Sequence, residues 1–426
     1  MTLFIGIDLG TSGCRAMAVD EHGEIRGQTA VSLPAPERDG DRCEQEPRVW
    51  WDAVCRCLDE LTQQIPADEV AALAVDGTSA TLLLTDEHGE PLGPALMYND
   101  SRAKAQAERI KTIAPANTAA HGATGALAKL LWLQDAGLTR SARHALHQAD
   151  WIAGKLCGRF GVSDFNNALK LGFDAQRRCW PEWLARLKAP MDLLPEVVAP
   201  GATLGTLSAE HAKCFWLAPN TRIVAGATDS TAAFLATGAG AIGEAVTVLG
   251  STLVLKVVSD TPVFAPEFGV YSQPLPDGRW LVGGASNSGG AVLRQFFSDA
   301  QLAAMTPLLR PKHPTGLDFY PLPTIGERFP VNDPGKQPRL APRPEDDAQF
   351  FQGILEGIAR IEAEGYALLA RLRAPYPISV RSTGGGAQNA AWTAIRAHFL
   401  GSIMKPAHST DAAYGAALLA KSGATS

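Results

Sequence analysis

The sequence predicts an α/β protein built from two related domains that face a common cleft. At 426 residues the chain is too long for one hydrophobic core, and two domains of about 200 residues are expected. Short strand-like runs alternate with helical segments, and a glycine-and-hydroxyl turn between two strands occurs once in each half. These observations place the functional groups between the domains.

The opening strands follow from local patterning. Phe4 to Gly10 and Cys14 to Asp20 read as two strands, and Gly23 suits the positive φ of the tight turn after them. Three helical segments are predicted at Pro47–Gln64, Ser101 to about Gly158, and Ala348–Arg373, with a short terminal helix at Asp411–Lys421. The proline-rich segment from Leu308 to Asp347 is expected to be irregular.

A weak internal repeat supports the two-domain hypothesis. Leu9 to Asp20 aligns with Leu249 to Asp260 at a constant offset of 240, with leucine, glycine, hydroxyl residues and the closing aspartate in common. The break is expected near Pro219 to Arg222, which gives domains at residues 1–221 and 222–426.

Composition narrows the class of function and the compartment. A net charge of −6 gives no general reason to bind nucleic acid or an anionic membrane. The seven scattered cysteines suit reduced thiols, and no apolar stretch is free enough of charge and glycine to span a bilayer. We therefore expect a cytoplasmic protein with no membrane or nucleic-acid partner.

The first candidate site surrounds Asp8, a carboxylate inside an apolar strand. The following turn, Gly10 to Ser12, could present backbone N–H groups and hydroxyls to a phosphate, and Arg15 could neutralise phosphate charge. An adjacent carboxylate would repel that phosphate unless a cation such as Mg²⁺ lay between them. A simple hairpin turn with a hydrogen-bonded aspartate is the alternative.

Three further motifs carry candidate chemistry. Gly250, Ser251 and Thr252 repeat the first turn. Asp229, between a strand end and a small-residue helix, could take a proton from an attacking alcohol, or it could merely cap that helix. Gly384, Gly385 and Gly386, between a strand and a helix, could leave bare backbone for a flat or anionic ligand, or could be a flexible link.

A fifth region places polar side chains at the start of an apolar strand. It comprises Asp76 to Leu84 and the later segment Met97 to Arg102. Such crowding would suit a polyhydroxyl ligand, and satisfied turn residues explain it equally well.

The order of these motifs resembles the FGGY carbohydrate kinases, within the superfamily of sugar kinases, Hsp70 and actin. The matching segments are "GIDLGTSGCRAMAVD", "GATDSTAAF", "TVLGSTLVL", "STGGGAQNAAW" and "DAAYGAALLA", and they extend over nearly the whole chain. The resemblance implies two RNase H-like (actin-like ATPase) domains around an interdomain cleft. It also implies ATP and Mg²⁺ as cofactors, a sugar as substrate, and a monomer or homodimer.

The resemblance also assigns roles to residues. Asp229 falls on the catalytic base and, with Asp8, on the metal site; Thr11, Ser12 and Arg15 fall near the phosphates. The glycines of both turns and of the triple-glycine run, with Asn389, fall on nucleotide-binding motifs. The N-terminal domain would hold the sugar and the Mg²⁺-phosphate, and the C-terminal domain would bind ATP.

Departures from the family pattern narrow the acceptor sugar. Thr78, Ser79 and Ala80 stand where xylulokinases carry Gln-Met-His, and the Arg-Glu pair of glycerol kinases is missing. The segment "DGTS" is most similar to the small ketopentose kinases that act on D-ribulose, which implies that Asp8, Ser79 and Asp229 hold the sugar. The alternatives are D-xylulose or another polyol, or an actin- or Hsp70-like ATP switch without a sugar substrate.

Overall fold

The computed structural model describes residues 1–425. Its strands are β1 (Leu3–Leu9), β2 (Gly13–Asp20), β3 (Ile25–Ser32), β4 (Glu37–Asp39), β5 (Arg42–Gln45), β6 (Val70–Gly77), β7 (Leu82–Thr85), β8 (Ala95–Leu96), β9 (His144–His147), β10 (Val162–Asp164), β11 (Glu196–Val198), β12 (Thr203–Thr206), β13 (Arg222–Thr228), β14 (Glu244–Leu249), β15 (Leu253–Ser259), β16 (Tyr271–Pro274), β17 (Trp280–Ser286), β18 (Ser379–Thr383) and β19 (Ile403–Lys405).

The α-helices are α1 (Pro47–Thr62), α2 (Lys104–Ile113), α3 (Ala126–Asp135), α4 (Gln148–Cys157), α5 (Phe165–Ala168), α6 (Trp183–Arg186), α7 (Ala209–Cys214), α8 (Asp229–Ala236), α9 (Gly290–Leu293), α10 (Asp299–Met305), α11 (Asp347–Arg371), α12 (Ala390–Leu400) and α13 (Ala412–Thr425). Within residues 1–425, none of these helices combines the length and apolarity needed to cross a bilayer.

The first compact unit is organised around a six-stranded sheet. The strand order is β12-β13-β6-β1-β2-β3, in which β13, β6 and β1 run parallel and β1, β2 and β3 form an antiparallel meander. All seven residues of β1 are buried, as a central strand with both faces covered requires. Gly23 takes φ +85° in the β2–β3 turn, as the sequence predicted.

The second compact unit repeats this arrangement. Its sheet order is β16-β17-β15-β14-β18-β19, with β14, β18 and β19 parallel and β14, β15 and β17 antiparallel. The core of the sheet therefore has the order β17-β15-β14-β18-β19, which matches β3-β2-β1-β6-β13 strand for strand. The offset-240 repeat thus corresponds to equivalent hairpins, and the prediction of two related α/β domains is confirmed.

The two units divide the chain at a different place from the predicted boundary at residues 221 and 222. The first unit comprises Met1–Ala236 together with the C-terminal segment from Asp411, and the second comprises Thr237–Thr410. The physical reason is strand pairing. Strand β13 hydrogen-bonds to β6 and is therefore part of the first unit's sheet, so the second unit begins after it. Helix α13 then returns to pack on β1, β6 and α8.

The helical predictions are confirmed at α1 and α11 and are correct only in part for one segment. Helix α1 begins with Pro47 at its first turn, and Asp346 caps α11 by accepting a hydrogen bond from the Ala348 N–H. The predicted helical segment from Ser101 to about Gly158 contains α2, α3 and α4, and it also contains strand β9, which was not predicted. Strand β9 interrupts the helical segment because residues His144–His147 pair with β7 in a separate five-stranded sheet of the first unit.

Close packing of α13 on β1 makes Gly6 a test of the first unit. A Cβ at Gly6 would lie 2.0 Å from the Ala413 carbonyl oxygen and 2.2 Å from the Ala417 nitrogen, both of them backbone atoms of α13. Gly6→Ala should therefore lower the free energy of unfolding by about 3 kcal/mol, measured by urea denaturation. Gly93→Ala is the control, because a Cβ there meets no atom within 4 Å. Equal stability of the two variants would contradict this packing.

Candidate active site

Three aspartates lie at the carboxyl edge of the parallel strands in the first unit. Asp8 of β1 is in register with Asp76 of β6, which is in turn in register with Ala227 of β13. Asp229 follows directly after β13 as the first residue of α8. The carboxyl edge of parallel strands is where ligands bind in open α/β sheets. The fold therefore brings together residues that are far apart in sequence.

Asp8 and Asp76 form a pair of buried carboxyl groups. Asp8 is 5% exposed and Asp76 is fully buried. Burial raises the pKa of both; the neighbouring charge of Asp8 raises the pKa of Asp76 further, to well above its ordinary range. The Arg15 guanidinium donates to Asp8 Oδ2 at 3.0 Å and opposes the rise in the pKa of Asp8. Neither carboxyl oxygen of Asp76 accepts a hydrogen bond from any residue that the structure describes.

Other charged groups surround this pair. Asp411, which precedes α13, adds negative charge that raises the pKa of both Asp8 and Asp76. Lys170 lies near Asp229: burial lowers the pKa of Lys170, and the negative charge of Asp229 opposes that change. Asp229 Oδ1 also accepts the Ser230 N–H at 2.7 Å. The edge thus carries an excess of carboxyl groups over cations, which favours the binding of a cation.

Each of the two predicted phosphate turns is closed by a backbone hydrogen bond from its first glycine, to the third residue on in the first turn and to the second residue on in the other. The Gly10 N–H donates to the Gly13 carbonyl at 3.0 Å, and the Gly250 N–H donates to the Thr252 carbonyl at 3.2 Å. A Cβ added at either first glycine would make an ordinary contact of 3.5 Å, so neither glycine is required by packing. Bare backbone in both turns is what the approach of an anionic ligand requires.

The second unit contains a cavity of about 700 Å³ beside its glycine run. Most of its lining is apolar or glycine, with a few polar groups, as is common for small-molecule sites. The lining residues are Leu249, Gly250, Ser251, Gly290, Leu293, Arg294, Asp299, Leu302, Ala303, Thr306, Phe351, Leu355, Gly385, Gly386, Gln388, Asn389 and Trp392. Of the predicted nucleotide-binding residues in this unit, only Thr252 and Gly384 do not line this cavity.

The three glycines of the run have two different roles. Gly384 takes φ +81°, and a Cβ there would lie 2.7 Å from the Leu249 carbonyl oxygen. A Cβ at Gly386 would lie 2.3 Å from the Trp392 ring, whereas a Cβ at Gly385 would meet nothing within 4 Å. Gly384 and Gly386 are therefore needed for packing, and Gly385 presents bare backbone to the cavity.

Ser79 lies in the loop between β6 and β7, immediately after the carboxyl edge. The next residue, Ala80, has φ +68°, which is unusual for a residue with a side chain. The buried Lys129 of α3 donates to the carbonyls of Ala80 at 2.8 Å and Met97 at 2.7 Å. Burial lowers the pKa of Lys129 to about 7, although the charge of Asp100 opposes this. Lys129 therefore links the two segments of the fifth region, Asp76 to Leu84 and Met97 to Arg102.

Three residues of this region were missed as candidates from the sequence. Asp76 stood within the quoted "DGTS" motif, but only strand register shows that it is adjacent to Asp8. Lys170 and Lys129 lie in helical segments whose local pattern gives no sign of burial or of a partner. An apolar run on both sides of Lys129 was the one available signal.

Comparison with known proteins identifies the relatives of this chain. Residues 3–236 match the N-terminal domain model of the FGGY family of carbohydrate kinases, and residues 245–424 match the C-terminal domain model. The chain is 27% identical over 441 residues to the xylulose kinase of Escherichia coli, with 98% of this chain and 90% of that protein covered. It is 23% identical over 446 residues to the gluconokinase of Bacillus subtilis, with 97% and 86% covered.

The fold is also that of a solved relative. The crystal structure of a ligand-bound xylulose kinase from Lactobacillus acidophilus superposes with a TM-score of 0.86 at 20% identity, covering 99% of this chain and 89% of that one. The predicted two-domain, actin-like ATPase fold is therefore confirmed.

Lys129 should make stability depend on pH. The folded protein loses this proton near pH 7 and the unfolded chain near pH 10.5, so the unfolded state binds more protons between these values. The unfolding free energy should rise with pH across this window, by at most about 1.4 kcal/mol per unit from this residue. In Lys129→Met the slope measured by urea denaturation from pH 7.5 to 9.5 should be smaller, whereas the exposed Lys111→Met should keep the wild-type slope. Parallel curves for all three proteins would show that Lys129 does not titrate in this range.

Proposed function

This chain belongs to the FGGY family of carbohydrate kinases and is an ATP-dependent sugar kinase, and we propose that its acceptor is D-ribulose, phosphorylated at O5 to D-ribulose 5-phosphate. The observation that carries the proposal is the carboxyl edge of the first unit, where Asp8 near the end of β1, the Ser79 loop after β6 and Asp229 after β13 lie on neighbouring parallel strands. Thr78, Ser79 and Ala80 replace the Gln-Met-His of xylulokinases, which favours a different ketopentose.

In this proposal Asp229 is the general base. Its carboxylate would accept the proton of the terminal hydroxyl as that oxygen attacks the γ-phosphorus and ADP leaves. Its position at the start of α8, directly after a buried strand, fixes the carboxylate on a rigid element. Asp8 and Ser79 would bind the sugar hydroxyls. Phosphoryl transfer depends mainly on positioning and charge neutralisation, so the base supplies the smaller part of the acceleration.

The nucleotide would bind through the second unit. The cavity beside Gly385, Gly386 and Asn389 would hold the nucleoside, and the turn Gly250 to Thr252 would approach the phosphates. In the first unit, Gly10 to Ser12 and Arg15 would also contact phosphate. Gly384 supports this site by packing against Leu249.

The residues at the carboxyl edge fit a Mg²⁺ ion. Carboxylate oxygens are ligands that Mg²⁺ prefers, and the buried Asp8 and Asp76 lack enough neighbouring cations to balance them. Among residues 1–425 no three His, Cys, Asp or Glu side chains already converge as a metal site, so phosphate oxygens and water would complete the shell around Asp8 and Asp229. Bound Mg²⁺ would neutralise charge on the transferred phosphoryl group.

D-xylulose is the second candidate acceptor, because the relatives named above include xylulose kinases. We further propose that the protein works in the cytoplasm as a monomer or homodimer and has only small-molecule partners. The seven free cysteines suit a reducing compartment, and the net charge of −6 gives no general reason to bind nucleic acid or an anionic membrane.

An acceptor panel tests the substrate proposal. We expect kcat/KM with Mg²⁺-ATP to be at least tenfold higher for D-ribulose than for D-xylulose, gluconate, glycerol or pentitols, measured by coupled ADP release. A higher value for D-xylulose would replace the proposed substrate with the second candidate.

Substitution of the base tests the mechanism. Asp229→Asn should lower kcat by about 10²- to 10⁴-fold, because the amide cannot accept the proton. Calorimetry should give an ADP affinity within twofold of wild type. Asp192→Asn, at an exposed position in the same unit, is the control and should keep full activity. Normal turnover by Asp229→Asn would contradict the assignment.

A further inference from the structure

The loop that carries Ser79 is held by hydrogen bonds to α4 and to the segment after β8. Gln148 Oε1 accepts from the Thr78 N–H at 3.0 Å and from the Thr78 hydroxyl at 2.8 Å. The Thr78 and Thr81 hydroxyls lie 2.6 Å apart, and the Thr81 hydroxyl accepts the Tyr98 N–H at 2.9 Å. Together with Lys129, these contacts make the loop a rigid part of the carboxyl edge.

These contacts fix the orientation of the Gln148 side-chain amide. A backbone N–H can only donate, so the oxygen of the Gln148 amide must face Thr78, and its NH₂ group must point elsewhere. A Cβ at Gly77 would lie 3.1 Å from Gln148 Oε1, so the glycine that ends β6 permits this close approach. The Gln148 amide is therefore seated at the end of β6, one residue after Asp76.

Two buried polar atoms at this place have no hydrogen-bond partner. Gln148 is fully buried, and its Nε2 donates to no atom of the residues that the structure describes; Ser79 Oγ is likewise unpaired. A buried polar group without a partner costs about 1–3 kcal/mol. Gln148 Nε2 can only donate a hydrogen bond, whereas Ser79 Oγ can donate or accept one. Hydroxyl groups of a ligand could pair with both atoms, because a hydroxyl also donates and accepts.

We propose that Gln148 is a sugar-binding residue whose Nε2 donates a hydrogen bond to a hydroxyl of the acceptor, beside the contact made by Ser79. The inference rests on the proposed function, since it assumes a polyhydroxyl acceptor at the end of β6. A sugar with that hydroxyl missing or inverted leaves Nε2 unpaired, which lowers kcat/KM by about 10- to 100-fold. Gln148 is thereby a determinant of acceptor specificity.

Gln148→Glu tests the contact because it removes the donor and keeps an oxygen for the Thr78 N–H. We expect the KM of the acceptor to rise at least tenfold while the KM of ATP stays within twofold of wild type. The preference between D-ribulose and D-xylulose, which differ at one hydroxyl, should also narrow.

Gln45→Glu is the matched control for a buried amide. Its Oε1 accepts from Trp50 at 2.7 Å and its Nε2 donates to the Pro34 carbonyl at 2.7 Å, so the substitution should lower Tm and leave the acceptor KM unchanged. If the partner of Gln148 is instead a buried water, Gln148→Glu will change Tm alone, and the proposal is overturned.

The assay uses the acceptor that the wild type phosphorylates fastest. A best substrate other than D-ribulose therefore overturns the proposed substrate alone, whereas an unchanged acceptor KM and an unchanged acceptor preference in Gln148→Glu overturn the role of Gln148.

Discussion

The burial of two carboxyl groups side by side at the end of parallel strands is the constraint on which the first unit depends. Asp8 and Asp76 are in register on β1 and β6, so their side chains share one edge and one face of the sheet. Two buried carboxylates repel each other, and a folded protein can keep them only with a proton or a cation between them. Arg15 supplies part of the compensation. The remaining demand for positive charge favours a cation at this edge, and in the proposed mechanism Asp229 is the general base there.

In the second unit the main constraint is different: the glycine run from Gly384 to Gly386 must be held in one conformation. Behind the glycine run, the buried Arg396 of α12 donates to Glu362 of α11 at 2.6 Å and to Ser382 of β18 at 2.6 Å. Glu362 also accepts the Thr247 hydroxyl of β14 at 2.5 Å. A buried ion pair adds little stability by itself but strongly penalises arrangements that separate its partners. This network therefore fixes the strands and helices on which the glycine-lined cavity is built.

Five strands in the main sheet of each unit follow the same order, and one short repeat in the sequence had indicated two related domains. The hairpins at Gly10 and Gly250 were predicted correctly because tight turns between apolar strands depend on local residue types. The boundary between the units was predicted wrongly because it depends on strand pairing between distant segments. Residues 222–228 have the local pattern of any buried strand, and pattern alone does not show that β13 pairs with β6.

The amino-acid sequence by itself determined the α/β class, the paired hairpins and the family, and it selected Asp8, Asp229 and the glycine motifs as candidates, since these depend on residue type and short spacing. The tertiary structure alone decided which buried polar groups lie together and which lack partners. Asp76, Lys129 and Gln148 are unremarkable in sequence, and their significance comes from contacts across 32 to 70 residues of chain or from strand register. Such contacts are set by packing and pairing between distant elements, whereas sequence patterning reports only on near neighbours.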